Sequence, residues 1–298
     1  MSVRLRAWAA AVALMSALAG ASRADPVTVI DGAGATVALP APARRIVSLA
    51  PSATELLYAA GAGSRVVAVT DPADWPPEAA QSPRVGDARS LDLERIVSLA
   101  PDLAVAWPYV ALAQIERLQA LGIPIYRTDP HTPEAIALDI ERLGALAGTA
   151  EAARSAATRF RSRLAALRQR GHTASAVRVF YEIWHQPLYT IGGAHLISAA
   201  IELCGGENVF RELSLPAPSV SVEAVLAARP SAIIAGTDGA IRPAWLDDWR
   251  QWADLPAVRA GNLFVVDANL LHRAGPRFVD GAEALCAVID RARANGAR

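Results

Sequence analysis

One pattern occurs twice, about a domain apart, and it restricts the fold more than any other feature of the chain. In LERIVSLAPDLAVA (residues 93–106) and VEAVLAARPSAIIA (residues 222–235) an apolar residue precedes Glu. Then come any residue, two apolar residues, a proline four positions on and an apolar run. Each copy reads as a short helix, a proline-marked turn and a buried strand. Val222 follows Leu93 by 129 residues, so the echo implies two similarly built lobes and not a short-period solenoid.

A second repetition is only apparent. RIVSLAP occurs at residues 45–51 and 95–101. The first copy lies between a hairpin-like stretch, VTVIDGAGATVALP, and PSATELLYAAG, whose Ser52 is placed to cap a helix starting near Ala53 and stopping at Gly61. That copy is predicted as a buried strand. In the second copy the preceding LDLE extends a helical spacing through Leu91, Leu93, Ile96, Val97 and Leu99, and a helix is predicted. A short apolar run cannot determine its own period.

Strand and helix alternate through RVVAVT, ALAQIERLQALG and IPIYRT, which favours an α/β lobe with parallel strands. Residues 133–170 read as almost wholly helical, interrupted at Gly144 and Gly148. TAEAARSAATRFRSRLAALRQRG, as one helix of about 22 residues, spans about 33 Å. A second lobe follows, with strands VRVFYEI, AIIAG and NLFVVD and a last helix over residues 277–293. The expected organisation is an export signal over residues 1–24, a first α/β lobe over 25–148, a connecting helix over 149–172 and a second α/β lobe over 173–298. A ligand cleft between the lobes completes this fold class, central sheets flanked by helices.

The signal is read from Arg4 and Arg6, an apolar run over residues 7–19 that is short for a membrane span, and Ser22 and Ala24 flanking a cut near Ala24. No Cys near that cut supports a lipid anchor. The 29 cations and 29 acids balance, and removing Arg4, Arg6 and Arg23 leaves the mature chain at about minus three. Neither nucleic acid nor an anionic membrane is implied by that balance. Cys204 and Cys286 fall in a chain read as exported, where a disulfide is expected. Two buried free thiols are the alternative.

No nucleophile elbow, H-E-x-x-H, C-x-x-C or phosphate loop is present, which argues against an enzyme and against a resident cofactor or metal. Residues just beyond strands are more informative, because open α/β sheets bind ligands outside their carboxyl ends. Ser52, Trp75, Trp107, Trp184, His185, Tyr189, Asn269, His272 and Arg273 are the candidates. Flat groups around one crevice suit a large, partly apolar ligand. Glu94 and Glu223 occupy equivalent places in the two echoed units. Each gains from a helix dipole, and together they could dock a two-fold symmetric partner carrying arginines.

RIVSLAPSATELLYAAG, DWPPEA, LDLERIVSLAPDLAVAW, ELCGGENVF, VSVEAVLAARPSAII and HRAGPR, in that order, resemble the substrate-binding proteins of ABC importers for cobalamin, iron-siderophores and haem. The resemblance spans nearly the whole mature chain and is strongest to the cobalamin branch. It implies a monomeric periplasmic protein that captures a corrinoid and delivers it to membrane permease subunits. Haem or a ferric siderophore is the alternative, with His185, His272 or Tyr189 as axial ligands, and a periplasmic enzyme acting on a metal chelate is the more distant one. Trp107 and Tyr189 match cleft aromatics, and Arg273 matches a polar contact to the corrin side chains. Glu94 and Glu223 match acids that meet permease arginines, and Cys204 and Cys286 match a disulfide pair. Ala217, Ile183 and Asn269 depart from the cobalamin pattern, and Trp184 stands to replace some of the lost aromatic surface.

Overall fold

A computed structural model describes residues 25–172 and 175–296. The signal expected over residues 1–24, with its cut, and Thr173 at the expected start of the second lobe lie outside the described residues. An antiparallel hairpin of β1 (Val27–Ile30) and β2 (Thr36–Leu39) opens the chain. Asp31 closes its turn by accepting from the Ala33 and Ala35 N–H groups. It also ties the hairpin to the first lobe by accepting from the Arg127 N–H.

The first lobe is a five-stranded parallel sheet in the order β5-β4-β3-β6-β7: Arg84–Asp87, Val66–Asp71, Ile46–Ser48, Leu103–Ala106 and Ile125–Arg127. The second is a four-stranded parallel sheet in the order β11-β10-β8-β9: Leu263–Asp267, Ala232–Thr237, Val177–Glu182 and Gly206–Asn208. Each sheet grows outward in both directions from its first strand. Each therefore has a switch point, between β3 and β6 and between β8 and β10, the kind of place beyond the strand ends where open α/β sheets commonly form a crevice.

The first RIVSL is strand β3, whereas the second lies in helix α2 (Leu93–Ser98). Helix α1 (Pro51–Ala59) differs from expectation at its start: Ala50 is the N-cap and Ser52 makes no capping bond. Proline at the first helical position needs no donor there, and it moves the start one residue ahead of the serine. The echoed units match beyond their letters. Asp92 caps α2 and Ser221 caps α7 (Val222–Ala228). Each unit then turns through a left-handed residue, Ala100 at φ 44° and Arg229 at φ 46°, just before its proline.

Helix α4 (Pro133–Leu146) packs along the connecting helix α5 (Ala150–His172). Gly144 lets the two approach, because a Cβ there would collide with the Ala153 Cβ. Along α5, Ala153, Ala157, Phe160, Leu164 and Leu167 form one buried stripe at helical spacing. That stripe belongs to a single apolar core continuing from α1 and α4 into α6 (Leu196–Leu203) and the last helix, α10 (Phe278–Gly296). The far face of each sheet has its own smaller core. Cys204, at the end of α6, is joined to Cys286 in α10 by a disulfide. No helix among the described residues is long and apolar enough to cross a membrane.

Candidate functional site: an aromatic slot between the lobes

The two switch points face one another across a slot. One hollow of about 130 Å³ is bounded by Ser52, Trp107, Tyr109 and Asp129 of the first lobe and by His195, Pro216 and His272 of the second. A second, of about 280 Å³, shares Ser52, Trp107 and His272 and adds Asp238, Asn269 and Arg273. A third, of about 550 Å³, continues over the second sheet past Trp184, His185, Gly236 and Trp245, again reaching His272. Shared walls make the three one continuous depression.

Ser52 reaches the slot because α1 starts directly after β3, and Trp107 follows the last residue of β6. The Trp107 indole meets Tyr109 edge-on, with ring centroids 4.8 Å apart. Its Nε1 is buried and finds no acceptor among the described residues. Buried indole N–H groups are normally paired, so this one is an exception among the described residues.

Opposite, Tyr181 near the end of β8 places its hydroxyl 3.1 Å from His272 Nε2. Gly236 makes room, since any Cβ there would strike both groups. Burial raises the Tyr181 phenol and lowers the His272 imidazole, so both are neutral and the hydrogen bond between them joins two uncharged groups. That engagement removes His272 Nε2 as an axial ligand. His195 likewise accepts the Ile197 N–H at Nδ1, capping α6. Burial above all, and then the neighbouring His272, pushes it down to about 4.

His185 is held differently. Its Nδ1 lies 2.9 Å from Glu182, a buried carboxylate that also accepts the Trp249 indole N–H at 2.8 Å. The ring stacks on Trp245 at 5.1 Å. Burial raises the Glu182 carboxyl despite those hydrogen bonds. Among the described residues no three His, Cys, Asp or Glu side chains are grouped to hold a metal ion.

Trp184 is 62% exposed on the rim, with its indole N–H on the Gln186 carbonyl. Tyr189 is half-buried, its backbone bridging Trp184 and Ser219, and it lines none of the three hollows. Trp75 lies apart from the others, in a groove with Tyr58 and Glu78, its ring 4.9 Å from the Arg277 guanidinium. Tyr109, His195, Glu182 and Trp245 escaped the sequence reading. Glu182 alone left a local trace, an acid ending an apolar strand three residues before a histidine.

Four charged groups bridge the lobes at one end of the slot. Glu55 of α1, only 1% exposed, takes the Arg277 guanidinium at 2.6 and 2.9 Å. Arg273 lies 3.5 Å from Glu55 and reaches Asp74 at 2.5 and 3.2 Å. Glu94 and Glu223 are exposed, each the second residue of its short helix. Hydrogen bonds from its own backbone N–H and from Ser221 lower the Glu223 carboxyl.

Residues 46–270 match the profile of a family described as periplasmic binding protein. The chain belongs to the periplasmic binding protein family. Among the relatives of this periplasmic binding protein, the vitamin B12-binding protein of Vibrio parahaemolyticus is 36% identical over 249 residues, 82% of this chain and 89% of that one. That of Vibrio cholerae is 37% identical over 255 residues, 85% and 91% of the two chains. Of solved structures, the periplasmic vitamin B12 binding protein BtuF of Vibrio cholerae superposes with a TM-score of 0.76 at 38% identity, covering 84% of this chain and 98% of that one. The periplasmic heme-binding protein RhuT from Roseiflexus gives 0.73 at 25%, covering 84% and 99%.

Proposed function

We propose that this periplasmic binding protein captures cobalamin in the slot between its lobes and delivers it to an ABC importer, making and breaking no bond. The reading rests on one observation above all. The walls at both switch points carry flat aromatic and imidazole groups, in a chain more than one-third identical to two vitamin B12-binding proteins. Affinity then comes from burying ring faces against Trp107 and its neighbours, and orientation from Ser52, Asn269 and Arg273. The chain is exported, cut near Ala24 and monomeric. Glu94 and Glu223, one per lobe, are the contacts for arginines of the permease subunits.

Calorimetry of residues 25–298 against cyanocobalamin, cobinamide and haem tests this. Saturable corrinoid binding is expected, weakened at least tenfold by Trp107→Ala. The pair Glu94→Ala and Glu223→Ala is expected to retain capture and lose delivery in vesicles containing the importer. A second reading, haem, is favoured by the likeness to the Roseiflexus heme-binding protein. A Soret shift with haem and no saturation by cyanocobalamin would overturn the first reading in favour of the second. Recovery of a chemically altered ligand would overturn both.

A further inference from the structure

Charge along the slot is distributed unevenly. Among the described residues that line the three hollows, Arg273 is the sole Arg, and the chain has no Lys. Asp71, Asp129 and Asp238 line the same walls. Arg273 is not a free cation. Asp74 holds it through both carboxylate oxygens, and Glu55, already engaged by Arg277, lies 3.5 Å from it. Two guanidinium groups thus meet two carboxylates, and the cluster is neutral. His195 and His272, the imidazoles beside it, are kept uncharged by burial.

We infer that Asp74 neutralises Arg273 and thereby makes the slot select macrocycles fringed with neutral amides over macrocycles fringed with carboxylates. A ligand carboxylate entering here meets three aspartates and a guanidinium whose charge Asp74 already offsets, so it gains no net attraction to set against their repulsion. An uncharged amide meets no such repulsion. Its carbonyl accepts from an N–H of Arg273 that Asp74 leaves over, and its own N–H groups suit the aspartates. Asp74 is therefore a positioning residue, acting through Arg273. This rests on the proposed corrinoid function and deepens it by naming the chemical feature that separates the two candidate ligand classes.

The test measures a ratio. Affinities of the mature chain are determined for cyanocobalamin and its monocarboxylic acid, and for haem and haem dimethyl ester. Asp74 is 61% exposed, so Asp74→Asn does not disturb the core. Its expected effect is to raise carboxylate affinity relative to the neutral form about tenfold at low salt, with the gain shrinking as salt is added. Asp74→Glu is expected to keep the native ratio. A structural role alone would weaken both forms together, so a ratio within about twofold of native in Asp74→Asn overturns the inference. Should the native chain take the haem pair and refuse the corrinoid pair, the corrinoid function falls. The charge inference is then decided by haem against its ester. Failure to capture any of the four ligands overturns both.

Discussion

The two lobes follow one template and stabilise it by different means. In the first, five strands carry a buried polar support: Asp139 of α4 accepts from the Tyr126 and Thr128 hydroxyls at the end of β7, where burial raises its carboxyl. The second has four strands and joins two of its helices covalently through Cys204 and Cys286. A smaller sheet leaves less apolar area to bury, and constraining the unfolded chain supplies what burial does not.

Replacing both cysteines by alanine is the most severe test of that contrast. Opening a bridge between residues 82 apart is expected to cost about 4 kcal/mol. Four of the six tryptophans of residues 25–298, Trp184, Trp245, Trp249 and Trp252, lie in the second lobe, so most of the fluorescence change should come at lower urea than the circular dichroism change. Coincident transitions would instead mean that the shared core binds the lobes into one cooperative unit. Asp139→Ala challenges the first lobe, leaving two buried hydroxyls unpaired, and should cost about 3 kcal/mol in a urea melt.

Acid acts next, on the second lobe. His195 is held at about 4 when folded, against about 6.5 unfolded, so between those values the unfolded chain takes up a proton that the folded chain refuses. Stability is full above pH 6.5 and falls by about 3 kcal/mol as pH drops towards 4. His195→Asn keeps a cap for α6 and should remove that part of the loss from a series of melting curves. The smallest effect probes the template itself. Ala100→Gly and Arg229→Gly relieve matched left-handed residues and should each stabilise by about 0.5–1 kcal/mol. Unequal gains would show that the equivalent turns are differently strained.

Much of this architecture was legible because it is local. The strand and helix fates of RIVSL, the hairpin, the single connecting helix and the echoed units follow from period, proline and caps. Ser52 was misread as a cap because Pro51 starts the helix first, yet it still faces the slot. Sites built across the molecule left less trace. Glu55 and Asp74 meet arginines about 200 positions away, and nothing near DPADW announces a partner in HRAGPR. Trp75 was assigned to the crevice by its place after a strand. Its indole rests on Arg277 instead, in a groove with Tyr58 and Glu78.

Helix α5 carries two arginines two positions apart that grip opposite halves. Arg161 holds Glu134 and Glu141 of α4, and Arg163 holds Asp280 and Glu283 of α10. Bolts placed at the middle of a beam leave little length to flex on either side. The molecule is therefore expected to work as a calliper set close to one gauge, so that a guest of the wrong thickness is refused by shape. For one that fits, the expected rate of capture is set by diffusion and orientation rather than by a large closing stroke.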